Sequence, residues 1–349
     1  MRGKDAPPHV ARTLKTGKRE PMCTRVLWTD AGGAVLVGRN MDWMEETETN
    51  LWAFPRGMAR DDGLDGTLSW TSAYGSLAAA AHDLMTVDGV NEAGLAAHQL
   101  FLPESDYGDR DEGRPALSVA VWMQYVLDNF RTVAEAVEWI EGSQLQVVTQ
   151  SDPSSGKSVT LHMALDDRSG DSAIVEYLDG TPRVHHGRTY TTVTNSPPFD
   201  EQLAHLRTIE GLGGSEPLPG GTGPSDRFAR AAYYLSRLPR PNGTTEAVAS
   251  LLSVMRNAAQ PFRVADPDKP YASQTLWRTL ADLSTGIYVY ESTSRPNIVW
   301  VRLSGLDLSE GAPALKLDLA ADTGLEGGLV GDVTDRFTQA PPMRFLPAR

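Results

Sequence analysis

The chain has 349 residues, of which 40% are hydrophobic and 22% charged, with a formal net charge of −13. This is too apolar for a disordered chain, and the acidic excess argues against sequence-independent grip on a nucleic-acid backbone. No window holds the roughly 18 uninterrupted apolar residues of a spanning helix, and the single cysteine, Cys23, excludes an internal disulfide framework and a cysteine-based zinc cluster.

Residues 1–22 carry six Lys or Arg against Asp5 and Glu20. They contain no apolar run of a secretory signal and read as a disordered leader ending at Met22. Three fates are open to it: removal as a pro-segment, translation that begins at Met22 with that Met clipped, or retention as a flexible tail. The first two leave Cys23 as the first residue of a single domain over 23–349. The lack of a signal peptide points to the cytoplasm, with the periplasm as the alternative if translation starts elsewhere.

Thr24–Thr29 and Ala34–Gly38 are β-branched and aliphatic runs around the turn Asp30-Ala31-Gly32-Gly33, which predicts a hairpin starting at Cys23. Strands are predicted over Leu51–Phe54, Leu84–Val90 and Leu95–Leu102. A helix follows over Leu117–Phe130, with Val121, Tyr125 and Leu127 on its buried face. Thr132, three residues before Glu135, predicts the N-cap of a second helix, Val133–Glu141. Val159–Leu165, Ala173–Leu178 and Thr189–Val193 read as strands, and Phe199–Ile209 as a helix. The Gly/Pro-rich stretch Gly211–Asp226 is a long loop before helices at Arg227–Leu238 and Thr245–Asn257. Strands return at Leu276–Leu280, Gly286–Glu291 and Ile298–Leu303. Blocks of strands alternating with blocks of helices predict a layered α+β fold rather than βαβ units.

Several motifs fail. Gly156-Lys157-Ser158 lacks the first Gly of a phosphate loop, because Ser151 stands there. The loop at 211–223 does not complete a dinucleotide fingerprint. The seven His form no zinc-protease motif, and His185-His186 points to opposite strand faces, so neither a metal nor a cofactor is predicted.

A lone cysteine is most often a small buried hydrophobe. Cys23 differs in where it stands. It opens a strand after the leader, and Gly38-Arg39-Asn40-Met41-Asp42-Trp43 ends the partner strand, so the hairpin returns Arg39 and Asp42 toward it. A thiol of pKa about 8.5 is mostly protonated at neutral pH, and a cation such as Arg39 favours the thiolate. An N-terminal Cys23 would also carry an α-amino group of pKa about 7.7–8.0, able to act as the base with Asp42 orienting it. The structural alternative for Arg39 and Asp42 is a plain ion pair capping the hairpin. Asn195 before Ser-Pro-Pro equally suits an Asx turn, Arg227 a surface ion pair, and Asn91 a turn residue of structural role.

Five stretches in order carry a specific resemblance: Met22-Cys23-Thr24-Arg25, Gly38–Trp43, Asp88-Gly89-Val90-Asn91-Glu92-Ala93-Gly94-Leu95, Thr194-Asn195-Ser196-Pro197-Pro198-Phe199 and Ser225-Asp226-Arg227-Phe228. From about Met22 to Leu303 the chain resembles the choloylglycine hydrolase and penicillin V acylase family, linear-amide hydrolases of the N-terminal-nucleophile class. The resemblance implies a four-layer αββα sandwich, often a homotetramer or dimer. It implies Cys23 as nucleophile with its freed amine as base, Arg39 and Asp42 beside it, Asn195 donating to the oxyanion hole and Arg227 supporting the charges.

Bile salt hydrolases of this family carry an Asn near the oxyanion hole on the strand after the Asn-Glu-x-Gly-Leu turn, where penicillin V acylases place an aromatic. Counting from Gly94, that position is Phe101, whose side chain has no N–H, so only its backbone amide could serve. Phe101 and Trp43, with Phe54 or Trp52, suggest an apolar acyl pocket. This favours penicillin V or acyl homoserine lactones over bile salts, and the Met41-Asp42-Trp43-Met44-Glu45 run resembles the Gram-negative-type branch. The expected partner is therefore a small N-acyl amide, with no nucleic acid and no membrane. An acyltransferase on the same scaffold and a catalytically silent acyl-amide binder that retains its leader are the alternatives.

Overall fold

The structure is a computed structural model that describes residues 22–346 apart from 65–67, 152–155, 157, 264–272, 296 and 322–323. The leader reading therefore lies outside the described residues except for Met22. Two large sheets stack face to face. The first has seven strands, in the order Thr192–Val193, β1 (Met22–Ala31), β2 (Ala34–Trp43), Gln274–Asp282, Ile287–Ser292, Ile298–Arg302 and Gly331–Asp332. The second has nine, in the order Thr181–His186, Ser172–Leu178, Leu161–Asp167, Leu95–Phe101, Met85–Asn91, Ser76–Ala81, β3 (Asn50–Phe54), Leu315–Leu317 and Thr338–Gln339.

Three apolar clusters fill the gaps between layers. The largest lies between the sheets and takes Cys23, Leu27, Val37 and Met41 from the first and Leu51, Ala79, Ala96 and Leu100 from the second. A second packs the outer face of the nine-stranded sheet on α1 (Val119–Asn129) and α2 (Val133–Gly142). A third packs Val26, Trp28 and Leu36 on α4 (Pro224–Leu235) and α5 (Thr244–Asn257), while α3 (Phe199–Leu206) packs beside α4. The result is the αββα sandwich. Sheets buried on both faces explain why β1 and β2 read as continuous apolar runs rather than alternating ones. Among the described residues, no helix is long and apolar enough to cross a membrane.

Local departures from the expectations have physical causes. Ser76–Ala81 was not expected as a strand because alanine favours helix. Here the small side chains let layers approach on both faces, with Leu77 and Ala79 toward the other sheet and Ala78 and Ala80 toward the helices. The strand that carries His185-His186 starts already at Thr181, and only Thr192–Val193 of the expected 189–193 pairs. Ala116–Ser118 forms a short parallel bridge, so α1 starts at Val119, capped by Ser118 Oγ on the Ala120 N–H at 3.1 Å. Tyr125 lies half-exposed against Trp70, Phe130 and Trp139 rather than in the core. α4 begins at Pro224, inside the expected loop. Asn91 behaves as a structural residue: its Nδ2 donates to the Leu127 and Phe130 carbonyls at 2.9 and 2.8 Å, ending α1.

Candidate active site

The hairpin turn uses Gly32 and Gly33 at φ +70° and +99°, a region that strongly favours glycine. The register that follows sets Cys23 opposite Met41 and Met22 opposite Asp42. Directly opposed residues share a face. Cys23, Arg39 and Met41 therefore project between the sheets, while Asp42 projects to the helical side. Arg39 is fully buried and its Nη2 donates to the Gln99 carbonyl at 2.7 Å, 3.2 Å from Met41 Sδ and 3.5 Å from Cys23 Sγ. Its guanidinium sits 5.0 Å from the centre of the Trp277 ring. Such an electropositive setting is where nucleophilic thiols occur.

Asp42 is linked to the main chain of Cys23 through Arg227 and does not contact its sulfur. Its carboxylate accepts from Thr275 Oγ1 at 2.6 Å and Gln260 Nε2 at 3.1 Å, with Arg227 Nη1 at 3.5 Å. Burial pushes the Asp42 carboxyl above its ordinary value, and Arg227, Thr275, Gln260 and Arg39 offset only part of that. Arg227 is buried at the start of α4. Its Nη1 donates to the Cys23 carbonyl at 2.7 Å and to Thr24 Oγ1, and its Nη2 to Asn195 Oδ1 at 3.0 Å. Burial lowers its pKa, with Asp42 as the main opposing charge. Arg227 is thus a buried bridge and not a surface ion pair.

Asn195 completes the contact with the nucleophile's backbone. Its Oδ1 accepts from the Cys23 N–H at 2.5 Å, and its Nδ2 donates to the Phe101 carbonyl at 2.5 Å. An amide nitrogen carries two hydrogens, so one remains for a further acceptor. Gln202 Nε2 donates to the Asn195 carbonyl and, at 2.8 Å, to that of Pro197, holding the segment from α3. Trp43 and Phe101 meet edge to face, ring centres 6.1 Å apart.

These contacts join Cys23, Arg39, Asp42, Asn195 and Arg227, with Trp43 and Phe101 paired beside them. Trp52 and Phe54 do not join. They stack on each other at 5.8 Å on the helical face of β3, because their parity along the strand is that of Ala78 and Ala80 on its neighbour. Gln260, Thr275 and Gln202 were missed by sequence reasoning. They are uncharged and stand outside the motifs, so no local signal marked them. A cavity of about 650 Å³ lies aside from Cys23 and is lined by residues including Thr49, Asn50, Tyr290 and Lys316, with Trp277 in its wall. Among the described residues, no three His, Cys, Asp or Glu are grouped to hold a metal.

The αββα sandwich is the fold of the N-terminal-nucleophile class of amide hydrolases. The pattern of the linear amide C–N hydrolases, choloylglycine hydrolase family, matches residues 23–322, and the chain belongs to that family. It is 40% identical over 347 residues to a penicillin V acylase from Pectobacterium atrosepticum, covering 93% of this chain and 92% of that one. It is 26% identical over 312 residues to a bile salt hydrolase/transferase from Bifidobacterium longum, covering 82% and 97%. The structure of penicillin V acylase from Agrobacterium tumefaciens superposes with a TM-score of 0.84 at 44% identity, over 93% of this chain and all of the other. The chain is an enzyme that hydrolyses the amide bond of small N-acyl compounds.

Proposed function

We propose that Cys23, freed by loss of residues 1–22, is the nucleophile, and that the substrate is an aryloxyacetyl amide of the penicillin V type. The observation that carries this is the 2.5 Å contact of the Cys23 nitrogen with Asn195, in a cluster where Arg227 touches the Cys23 carbonyl, Asn195 and Asp42. Release of the leader breaks the Met22–Cys23 peptide bond and turns that nitrogen into an amine. The neutral amine takes the thiol proton, which an amide nitrogen cannot do. The sulfur then bonds to the substrate carbonyl carbon. The developing oxyanion accepts from the second Nδ2 hydrogen of Asn195 and from the Phe101 backbone amide, a kind of stabilisation worth roughly 3 kcal/mol per donor. Collapse breaks the C–N bond, and the leaving amine receives the proton from the Cys23 ammonium. Water, deprotonated by the same amine, hydrolyses the thioester.

Asp42 and Arg227 orient the amine from the helical side, while Arg39 faces the sulfur from between the sheets. The Trp43–Phe101 pair supports an aromatic acyl group, as does the 40% identity to a penicillin V acylase. Transfer of the acyl group to an amine is the second reading, favoured by the relative named hydrolase/transferase. A homodimer or homotetramer acting in the cytoplasm accompanies the proposal. Light scattering on the purified protein and fractionation of the native cell would check these.

The test is turnover by the processed enzyme of penicillin V, an acyl homoserine lactone and a bile-salt conjugate, with product analysis in the presence of an added amine. The highest kcat/KM is expected on penicillin V. Cys23→Ala is expected to fold and to lose at least about 10³-fold in kcat. Activity on the bile-salt conjugate alone would overturn the acyl assignment. Cys23→Ala within about tenfold of the parent would overturn the mechanism.

A further inference from the structure

His162 is completely buried in the strand Leu161–Asp167 and touches none of the reacting groups. Its Nε2 lies 2.9 Å from the carbonyl oxygen of Thr194, the residue before Asn195. Its Nδ1 lies 3.3 Å from Glu176 Oε1, on the next strand. Both carboxylate oxygens of Glu176 accept from the Phe199 N–H at 3.1 Å, capping α3, whose own N-cap is Pro198 with no side chain to offer. The chain Glu176–His162–Thr194 thus holds one side of the segment Thr194–Phe199, and Gln202 of α3 holds the other.

Hydrogen-bond bookkeeping fixes the protons. A carbonyl only accepts, so Nε2 carries a hydrogen. At Nδ1 the partner is a carboxyl oxygen, and two bare acceptors do not share a 3.3 Å contact. One proton therefore lies between ring and acid, and the Phe199 N–H accepted by both Glu176 oxygens fixes the acid in turn. A ring held at both nitrogens can sit only where both its partners are, so its position is over-determined.

We propose that His162, clamped by Glu176, is a positioning residue that sets the Thr194 carbonyl and so aligns the Asn195 amide with the nitrogen of Cys23. This rests on the reading of Cys23 as nucleophile. The physical reason is leverage: Thr194 and Asn195 share a peptide unit, and a misplacement of about 1 Å at a reacting group can cost on the order of 10²-fold in rate.

The experiment compares kcat and KM for penicillin V, with thermal unfolding alongside, in processed wild type, His162→Leu, His162→Gln and Glu176→Gln. His162→Leu removes the donor to Thr194 and is expected to lower kcat about 10²-fold with KM changed less than about threefold. His162→Gln can still donate to Thr194. In Glu176→Gln the amide oxygen still accepts from Phe199 and its NH₂ can face a neutral Nδ1. Both are expected to keep kcat within about fivefold. If His162→Leu does not fold, His162→Asn, too short to reach Thr194, replaces it with the same expected loss. A folded His162→Leu or His162→Asn with kcat within about threefold of wild type would overturn the proposal, as would equal losses in the Leu and Gln variants. Inactive wild type or an active Cys23→Ala would instead break the nucleophile reading, so the two failures are separable.

Discussion

Two buried charge clusters lie a few residues apart along the same strands, and they handle their carboxylates in opposite ways. Between the sheets, Asp88 accepts from His98 Nδ1 at 2.5 Å, Thr279 Oγ1 at 2.9 Å and Tyr288 OH at 2.5 Å. His98 faces Asp166 at 3.5 Å, and Asp166 pairs with Arg25 at 3.2 Å. Burial pushes Asp88 up, but His98, Arg39 and Tyr288 outweigh it and hold the carboxyl below its ordinary value. At the Cys23 end, Asp42 has two neutral donors and one cation at 3.5 Å, and burial wins. The first arrangement is a staple from one sheet to the other. In the second, the carboxylate is under-compensated, which fits the proposal that one more charge, the ammonium of a freed Cys23, joins it.

If that contrast is right, it should break along the line between stability and rate. The largest effect is expected from Asp88→Asn, which strips the countercharge from His98. Removing one partner of a buried pair costs roughly 3–5 kcal/mol, so the urea midpoint should fall sharply while the folded fraction keeps kcat/KM within about threefold. Loss of rate at unchanged stability would merge the two clusters into one. Asp42→Asn should do the reverse. Its kcat is expected to drop about 10²-fold, with less stability lost than in Asp88→Asn; a change confined to KM would refute the orienting role. Gln260→Ala, which removes one of the neutral donors to Asp42, should cost about tenfold in kcat, and an unchanged kcat would make that contact incidental.

The smallest signal is in pH, and there the two carboxylates differ in sign. Asp88 is depressed, so the stability it supplies is present above the ordinary Asp value of 3.8 and lost as pH falls through its folded value. Asp42 is raised, so its contribution is present below 3.8 and lost as pH rises through its folded value. The stability gap between wild type and Asp88→Asn should therefore widen as pH rises from strongly acidic conditions, and the gap to Asp42→Asn should narrow. Urea titrations at a series of acidic pH values measure both, and parallel trends would contradict the comparison. His98 adds an alkaline limb. Burial lowers its pKa, but Asp88 and Asp166 outweigh that and raise it, so its stabilisation is complete below 6.5 and lost as pH rises through the folded value.

What could be read in advance follows the same division. The predicted hairpin draws Cys23, Arg39 and Asp42 together, and the family resemblance adds Asn195 and Arg227, so all five could be named as candidates in advance. Their supports could not. Thr275 and Gln260 reach Asp42 across more than 200 residues, and neither residue type is distinctive. Phe54 or Trp52 was expected to join the acyl pocket, yet strand parity, which flips with a single residue, turns both to the helices. The alanines of Ser76–Ala81 form a strand because layer spacing overrode their helical preference. The staple was invisible for a further reason: Asp88, His98, Asp166 and Arg25 come from four strands of two sheets, and only the stacking of those sheets assembles them.

The central claim is that the working nucleophile carries its own base, and the intact mass of the catalytically active protein tests it most directly. Expressed from Met1 and purified with full activity on penicillin V, the chain should have the mass of residues 23–349, with Cys23 first. Full activity in a protein whose mass still includes Met22 would leave an amide where the base must be, and would contradict the account.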